Sequence, residues 1–426
     1  MKDIQRVKVA YVCHFSSPYL QSKLPLRLTL KDKLVLALKR KPLNTEVSQS
    51  AVWNDNAISE IKNHIADVDF HVIIPYPYLD KQIVEWEEEG ISYHVFRDNS
   101  FFLSFIQRNI FKKLRLKHKK NRAAIRNIVN SIKPDIIHVV GAENPYYSLC
   151  VLDMPNGIPV ILQLQTLLSE EGFEKKYIMS HDQYIYRSQI EKDVILRADY
   201  IGTSVQHFID IIKAHIKPQA KFVDITLAVA EPINENNEER TQDFVYFAKD
   251  IAKAADWAVE AFALAHHQHP EIHLTLVGGY TPGYKQQLDD RIVQLGIKDA
   301  VRFTGMLPTH EDVIKEVRKS KYALLPIKAD LITGTIREAM AAGVPVITNV
   351  TPGTPLLNKE RESVLLAEPG DFKGMADSMC RLIEDKALYS LIQDNAITTV
   401  RDRYNNCDAI THLIDCYKRI TNVKAH

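Results

Sequence analysis

Two acidic side chains bracket a short turn in the second half of the chain, and this turn is the best candidate for chemistry. Asp330 and Glu338 flank the segment LITGTIR, in which Thr333, Gly334 and Thr335 precede a predicted helix. The first N–H groups of a helix have no partner within it and lie at the positive end of its dipole. With the threonine hydroxyls they can bind phosphates or sugar hydroxyls without a metal, and Gly334 lets the backbone approach a ligand closely.

Glu338 also has a purely structural interpretation. The run Thr335-Ile336-Arg337-Glu338 fits the S/T-x-x-E capping box, in which the acid accepts from N–H groups at the helix start. A ligand-binding role and a capping role therefore stay open for this side chain.

The elements around the turn alternate between strands and helices. YALLPI and VPVITNV are apolar runs typical of buried parallel strands, and IREAMAAG is a short helix closed by Gly343. Ligands of doubly wound sheets lie outside the carboxyl ends of the strands, which is where the turn falls. The second half is therefore predicted to be a doubly wound parallel α/β sheet. Its other predicted strands are FVYFA, HLTLVGG, VRFTG and SVLLAEPGD.

The first half of the chain repeats this alternation, so we predict two Rossmann-like α/β domains. The polar, Asn-rich segment 228–242 is the best linker candidate, which places the domains at 1–227 and 243–407. The predicted strands of the first domain are VKVAYVC, FHVIIPY, ISYHVFRD, PDIIHVVG, GIPVILQLQT and ADYIGTSV.

Composition excludes several classes of protein. The chain has 426 residues, a net charge of +1 and 46% hydrophobic residues, which is ordinary for a globular protein and gives no global field to attract nucleic acid. The five cysteines form no CxxC pair, so we expect reduced thiols and no zinc site. Neither GxGxxG nor GxxxxGK[ST] occurs. Without an apolar run of about 20 residues or a signal-peptide layout, the expected location is cytoplasmic.

The segment that contains the turn, residues 330–355, resembles the glycosyltransferase group 1 family, the family-4 retaining enzymes of GT-B fold. In that family two glutamates enclose a glycine-rich loop, and here the frame is D-LITGTIR-E followed by AMAAGVPVITNVTPGTP. The first acid is Asp330 rather than Glu, and the loop holds less glycine than usual. The resemblance extends over about 244–385 and is weaker in the first half. It implies two domains facing across a cleft, with a C-terminal helix at 408–426 that packs back on the first domain.

The resemblance assigns roles to residues of a donor site. Lys249 and Lys253, after the strand FVYFA, match the family's Arg and Lys and would hold the donor diphosphate; the alternative is solvated loop charges. Glu338 would accept from the ribose hydroxyls and Asp330 from hydroxyls of the donor sugar. Gly278 and Gly279 would leave room for the base or ribose, or simply form a tight turn.

The acceptor side is less well marked. His138 matches a family position inside a strand, where packing competes with ligand contact, and the family's frequent histidine aligns with Gln165. A glutamine cannot act as a general base, but it can hydrogen-bond a sugar hydroxyl. Segment 101–122 has a basic centre preceded by apolar residues, so it is a solvated helix face, a surface for an anionic membrane or, less well supported, a nucleic-acid patch.

The leading hypothesis is a metal-independent, retaining, hexosyltransferase-type glycosyltransferase with no cofactor. It would move a sugar from a nucleoside-diphosphate sugar to a glycan or lipid-linked acceptor, in glycan or surface-polysaccharide biosynthesis. A GT-B nucleotide-sugar epimerase and a non-catalytic GT-B scaffold stay open as alternatives, because Lys249, Asp330 and Gln165 depart from the family pattern.

Overall fold

The chain divides into two compact units. Unit 1 comprises residues 1–228 and 407–426, and unit 2 comprises residues 229–406. The computed structural model describes residues 6–14, 17–39, 51–170, 180–226, 239–248, 254–328 and 334–421.

Unit 1 is built on an eight-stranded sheet. Its strands are β1 (Val7–Val12), β2 (Val68–Tyr76), β3 (Ile83–Glu88), β4 (Ile91–Arg97), β5 (Ile136–Val140), β6 (Val160–Gln163), β7 (Tyr200–Gly202) and β8 (Lys221–Val223). They lie in the order β3-β4-β2-β1-β5-β6-β7-β8, and all neighbours pair in parallel except β3 and β4. Central β5 is buried along its whole length because helices cover both faces of the sheet.

The helices of unit 1 connect these strands. They are α1 (Pro18–Lys23), α2 (Leu30–Leu38), α3 (Val52–Ile61), α4 (Phe101–Asn109), α5 (Lys119–Ile132), α6 (Pro145–Ser148), α7 (His181–Arg197), α8 (Gln206–His215) and α15 (Asn406–Thr421). The stretch 101–132, which reads as one or two helices, forms α4 and α5, and most of its basic centre lies in the connection between them. Among the described helices, none has the length and apolarity needed to cross a bilayer.

The last helix, α15, completes the core of unit 1. Ile410, Leu413 and Ile414 are buried in the same cluster as the sheet. The Tyr417 hydroxyl lies 2.6 Å from Nδ1 of His138 on β5. Burial lowers the pKa of His138 to about 3, so the ring is neutral, and its Nδ1 shares a hydrogen bond with the tyrosine hydroxyl. Residues 422–426 of the predicted segment lie outside the described residues.

We expect Tyr417→Phe to destabilise unit 1 by about 1–3 kcal/mol, because it leaves the buried Nδ1 of His138 without its partner. The measurement is the thermal unfolding transition of the full chain. Tyr200→Phe is the matched control, since its hydroxyl has no hydrogen bond among the described residues. Equal midpoints for the two variants would contradict the assignment.

Unit 2 is a six-stranded, wholly parallel sheet with the order β11-β10-β9-β12-β13-β14. The strands are β9 (Gln242–Phe247), β10 (Leu274–Val277), β11 (Val301–Gly305), β12 (Ser320–Leu324), β13 (Val346–Asn349) and β14 (Leu365–Ala367). The helices are α9 (Ala255–Gln268), α10 (Pro282–Gln294), α11 (His310–Arg318), α12 (Gly334–Ala341), α13 (Phe372–Glu384) and α14 (Lys386–Arg403).

The second unit begins before residue 243, the predicted boundary. Of the predicted linker 228–242, residues 228–238 lie outside the described residues, but Gln242 already begins β9. Arg240 donates to the carbonyl oxygens of Ser320 at 2.7 Å and Gly343 at 2.9 Å. Residues 239–242 therefore belong to the packed unit rather than to a linker.

Candidate functional site

The start of helix α12 is held firmly at the carboxyl edge of the unit 2 sheet. Ile336 and Met340 have no exposed surface, so the helix is packed along its length. Its far end is fixed by Gly343, whose φ of +65° reverses the chain and whose carbonyl accepts from Gln393 Nε2 at 2.7 Å. Gly334, the first residue of α12, is exposed. Exposed Gly334 therefore lies at the positive end of the helix dipole, at the edge where α/β sheets bind ligands.

Glu338 lies one turn into α12 and its carboxylate leans back toward the helix start. Its Oε1 is 4.0 Å from the position of a Cβ on Gly334 and 3.2 Å from Nε2 of His310, at the start of α11. The side chain is 12% exposed. The capping-box interpretation stays a prediction beside the ligand-binding one, because the residues directly before Gly334 lie outside the described residues.

Four predicted site residues lie outside the described residues. Lys249 and Lys253 follow β9 in sequence, and Asp330 and Thr333 precede α12. Their predicted roles stay predictions.

Gly278 and Gly279 follow β10 at the same edge of the sheet. Gly278 has a φ of +126°, which favours glycine, and its N–H donates to Thr304 Oγ1 at 3.3 Å. A Cβ on Gly279 would lie 2.8 Å from Cε of Met306, so this methionine fills the space that the missing side chain leaves. Gly278 also forms an isolated bridge with Gly305. Contact of the two glycines with a base or ribose stays a prediction.

Unit 1 has a cavity of about 270 Å³ at the carboxyl edge of its own sheet. Its wall includes His14, Tyr76 and Asp98, which lie at or just beyond the ends of β1, β2 and β4. Neither His138 nor Gln165 lines it. His138 has no exposed surface, so it lies in the core. This agrees with a packing role inside its strand rather than with contact to a ligand.

Gln165 is already engaged by two neighbours. With its amide oriented to satisfy both, its oxygen accepts from Trp53 Nε1 at 2.7 Å and its nitrogen donates to Glu143 Oε1 at 3.3 Å. Burial raises the pKa of Glu143, which favours its neutral form. Gln165 therefore positions a buried carboxyl, a role that the sequence did not indicate.

Glu191 of α7 fixes the loop that follows β6. Its carboxylate accepts from the N–H of Leu168 at 2.8 Å and of Ser169 at 2.7 Å, and burial raises its pKa from 4.5 to about 7. Between these two values the native state binds the proton more tightly than the unfolded chain, so stability falls as pH rises through that window.

We expect Glu191→Gln to remove this pH dependence, which is worth on the order of 3 kcal/mol. The wild-type thermal midpoint, compared with that of Glu191→Gln, should fall by several degrees between about pH 5 and pH 8. Parallel pH profiles for the two proteins would show that Glu191 titrates normally.

One group of potential metal ligands occurs in the part of the chain that the structure describes. Glu60, His64 and Cys407 of unit 1 bring one ligand atom each within 4.8 Å of one another. Glu60 and His64 precede β2, so they lie at the opposite edge of the sheet from the cavity. The predicted absence of a metal at the donor site stays a prediction.

Sequence comparison bears on unit 2 directly. Residues 242–385 match the model of the family described as "Glycosyl transferases group 1". Residues 242–385 are a group 1 glycosyltransferase domain. The family resemblance predicted from REAMAAGVPVITN is therefore confirmed for this part of the chain.

Three relatives place the group 1 glycosyltransferase domain in context. The chain is 29% identical over 138 residues to an exopolysaccharide phosphotransferase of Streptomyces coelicolor, a match that covers 32% of this chain and 14% of that protein. Sucrose-phosphate synthase from Thermosynechococcus elongatus has 17% identity and a TM-score of 0.68, over 98% of this chain and 100% of that one. The Anabaena HepE protein, solved with UDP and glucose, has 14% identity and a TM-score of 0.65, over 97% and 100%.

The solved structures and the curated relatives support different conclusions about this chain. The solved structures confirm the predicted fold class, GT-B with two Rossmann-like domains. The chain spans between 14% and 50% of the length of five curated relatives that it matches. Activity and substrates of the whole protein are therefore taken up below as proposals.

Two further residues of the glycosyltransferase domain position its loops. Asn349, at the end of β13, accepts from the N–H of Ile327 at 2.7 Å and donates to its carbonyl at 3.1 Å. Lys328 forms an ion pair with Asp256 of α9 and lies 5.4 Å from the Trp257 ring centroid. In the sequence, Asn349 and Lys328 were marked only as polar residues at the end of an apolar run.

Proposed function

We propose that the protein is a retaining glycosyltransferase that moves a sugar from a nucleoside-diphosphate sugar to an acceptor hydroxyl. The observation that carries this is the exposed start of α12 with Glu338 beside it, inside a domain that matches the group 1 family. The relative named for exopolysaccharide phosphotransfer and the HepE structure with UDP and glucose support a role in polysaccharide assembly with a nucleotide-sugar donor.

In the proposed mechanism, unit 2 binds the donor, and residues of unit 2 stabilise the negative charge of the diphosphate. Lys249, Lys253 and the positive end of the α12 dipole stabilise the departing nucleoside diphosphate without a metal. Glu338 accepts from the ribose hydroxyls, and Asp330 from hydroxyls of a hexose donor. The acceptor hydroxyl attacks from the leaving-group face, so the anomeric configuration is retained.

A panel of nucleotide sugars tests the proposal. UDP-, GDP- and ADP-sugars are incubated with the full chain, while release of nucleoside diphosphate and thermal stabilisation are measured in parallel. Turnover of at least one donor supports transfer. Stabilisation by a nucleoside diphosphate with no turnover of any donor favours the scaffold alternative, and conversion of a donor to its epimer without acceptor favours the epimerase.

We also propose that unit 1 docks on an anionic membrane surface through segment 101–122. Leu103, Ile110 and Phe111 are 46%, 57% and 62% exposed, and the neighbouring Lys112 and Lys113 are exposed as well. Helix α2 adds an exposed stripe of three leucines at four-residue spacing: Leu30, Leu34 and Leu38. Apolar side chains among lysines are the composition that binds anionic lipid, at about 1 kcal/mol for each basic residue near the surface.

Vesicle sedimentation measures this docking. We expect binding to vesicles of phosphatidylcholine mixed with phosphatidylglycerol, weak binding to phosphatidylcholine alone, and at least a tenfold loss in Phe111→Ser/Lys112→Ser/Lys113→Ser. Lys298→Ser, an exposed lysine of unit 2, is the control. Equal binding of both variants to the mixed vesicles would overturn the assignment.

A further inference from the structure

Two arginines converge on the cavity of unit 1. Arg187 of α7 and Arg108 of α4 both line it. Arg187 is anchored by the carbonyl oxygen of Glu143, to which Nε donates at 2.9 Å and one Nη at 2.5 Å. Arg108 is exposed, and its Nε donates to the Ser104 carbonyl at 3.3 Å. Because a guanidinium carries five N–H donors, most donors of both side chains are left for another partner.

Neither arginine forms an ion pair with a carboxylate of the described residues. Among the described residues, no carboxylate oxygen lies within 4.0 Å of the guanidinium nitrogens of Arg108 or Arg187. Burial lowers the pKa of Arg187; the charge of Glu143 raises it, the neighbouring charge of Arg108 lowers it, and the charge of Glu191 raises it. The two guanidiniums therefore feel each other's charge across the cavity wall, and an anion bound between them would be attracted by both.

Asp98 is the one acidic residue among those that line the cavity. Its Oδ1 is occupied by the Ser100 N–H at 2.9 Å, the Ser100 hydroxyl at 2.7 Å and Asn121 Nδ2 at 2.7 Å. With two guanidiniums against one carboxyl group, the charged groups in the wall of the cavity sum to a positive charge.

Two buried polar atoms in the wall have no partner among the described residues. They are Nε2 of Gln183, which is 7% exposed, and Nδ1 of His118, which is 8% exposed. Tyr186 donates its hydroxyl proton to the Leu116 carbonyl at 2.6 Å, so it accepts from His118 Nε2 at 3.2 Å. Burial lowers the pKa of His118 to about 4, so its Nδ1 is a free acceptor. Buried polar atoms are normally satisfied, so these two side chains are candidates to hydrogen-bond a ligand in the cavity.

The rest of the wall suits a small ring. Tyr76, Phe101, Tyr146 and Tyr186 supply aromatic surface, against which the apolar face of a sugar can pack. The cavity of about 270 Å³ is at the small end of ligand pockets, which run from roughly 300 to 1,000 Å³. Its size favours a single sugar-sized group rather than an oligosaccharide.

We propose that this cavity binds the acceptor, and that it does so through an anionic group, a phosphate or carboxylate on a sugar-sized molecule. Arg108 and Arg187 bind the oxyanion by paired N–H donors, the geometry for which guanidinium is best suited. Gln183 donates to the anion or to a ring hydroxyl, and His118 Nδ1 accepts from a hydroxyl. The assignment to an acceptor rests on the proposed function; the anion site does not.

Binding to the full chain is measured by calorimetry without any donor. The probes are inorganic phosphate, glucose 6-phosphate, glucuronate and glucose. We expect at least one anionic sugar to bind at least tenfold more tightly than glucose, and more weakly as salt is raised. The better of the two sugars shows whether the site takes phosphate or carboxylate. No binding of any anion at about 10 mM, where a site with a Kd of 1 mM would be almost full, overturns the proposal.

Variants locate the site. Arg108→Ala, at an exposed position, and Arg187→Gln, which keeps a donor for the Glu143 carbonyl, should each weaken anion binding at least tenfold. Arg126→Ala, an exposed arginine of α5, should change it less than twofold. Lys249→Ala/Lys253→Ala should also leave it intact, and loss in that variant instead would place the anion in unit 2 and overturn the proposal.

The two proposals fail separately. Anion binding that depends on Arg108, in a protein that turns over no donor, would contradict only the proposed function. Transfer that is equally efficient with neutral and anionic acceptors, and unchanged in Arg108→Ala, would contradict only the anionic acceptor.

Discussion

Replacing Glu338 by glutamine is expected to lower kcat/KM for sugar transfer roughly 10- to 100-fold. A carboxylate that accepts from two ribose hydroxyls makes charge-assisted hydrogen bonds, each worth about 1.5–3 kcal/mol, and an amide keeps only one acceptor oxygen. Because the ribose is bound in both ground and transition states, most of the loss should appear as weaker donor binding and a raised KM. Nucleoside diphosphate affinity and transfer rate are measured on the same preparations.

The control separates ligand binding from the ion pair. His310→Gln removes the partner that lies 3.2 Å from the Glu338 carboxylate but leaves the carboxylate in place. If Glu338 binds ribose, His310→Gln should retain donor affinity within about threefold, since one partly exposed ion pair is worth no more than about 1 kcal/mol. Equal losses in the two variants would reduce Glu338 to a structural partner of His310.

The larger effect is expected from the lysines. Lys249→Ala/Lys253→Ala should lower kcat/KM about 1,000-fold, because removing a group that stabilises developing charge typically costs 100- to 1,000-fold. Unlike Glu338→Gln, this variant should lose kcat as well as donor affinity, since the charge on the leaving diphosphate grows in the transition state.

Lys298→Ala/Lys315→Ala removes two exposed lysines of the same unit and should leave transfer unchanged, which controls for net charge. Raising the salt concentration should reproduce part of the loss in the wild type only. Loss of transfer with unaltered donor binding in Lys253→Ala would contradict the phosphate role assigned to that residue.

The local sequence predicted the secondary structure well where a segment is buried on both faces. Continuous apolar runs such as YALLPI predicted the buried parallel strands, because both faces of such strands are covered. Strand β3, IVEWEE, was missed because it alternates between exposed and half-buried positions at the sheet edge and reads as polar.

Side chains that meet through the fold were harder to predict. Arg108 and Arg187 are 79 positions apart in sequence and on different helices, and nothing local to either marks a shared cavity. His138 and Tyr417 are likewise joined only because α15 returns to the first sheet. The donor motif was visible because its residues lie within one strand–turn–helix segment, whereas the cavity is assembled from several separate stretches of the chain.

The return of α15 to unit 1 has a consequence for synthesis on the ribosome. Residues 1–228 lack Ile410, Leu413, Ile414 and Tyr417 of their own core until the last part of the chain has been translated. At about 5–20 residues per second, the roughly 180 intervening residues take about 10–35 s. Unit 2 can complete its core during that interval, while unit 1 waits with an apolar groove beside β5 open to solvent. Unit 1, although its synthesis starts first, is therefore the unit whose core is completed last.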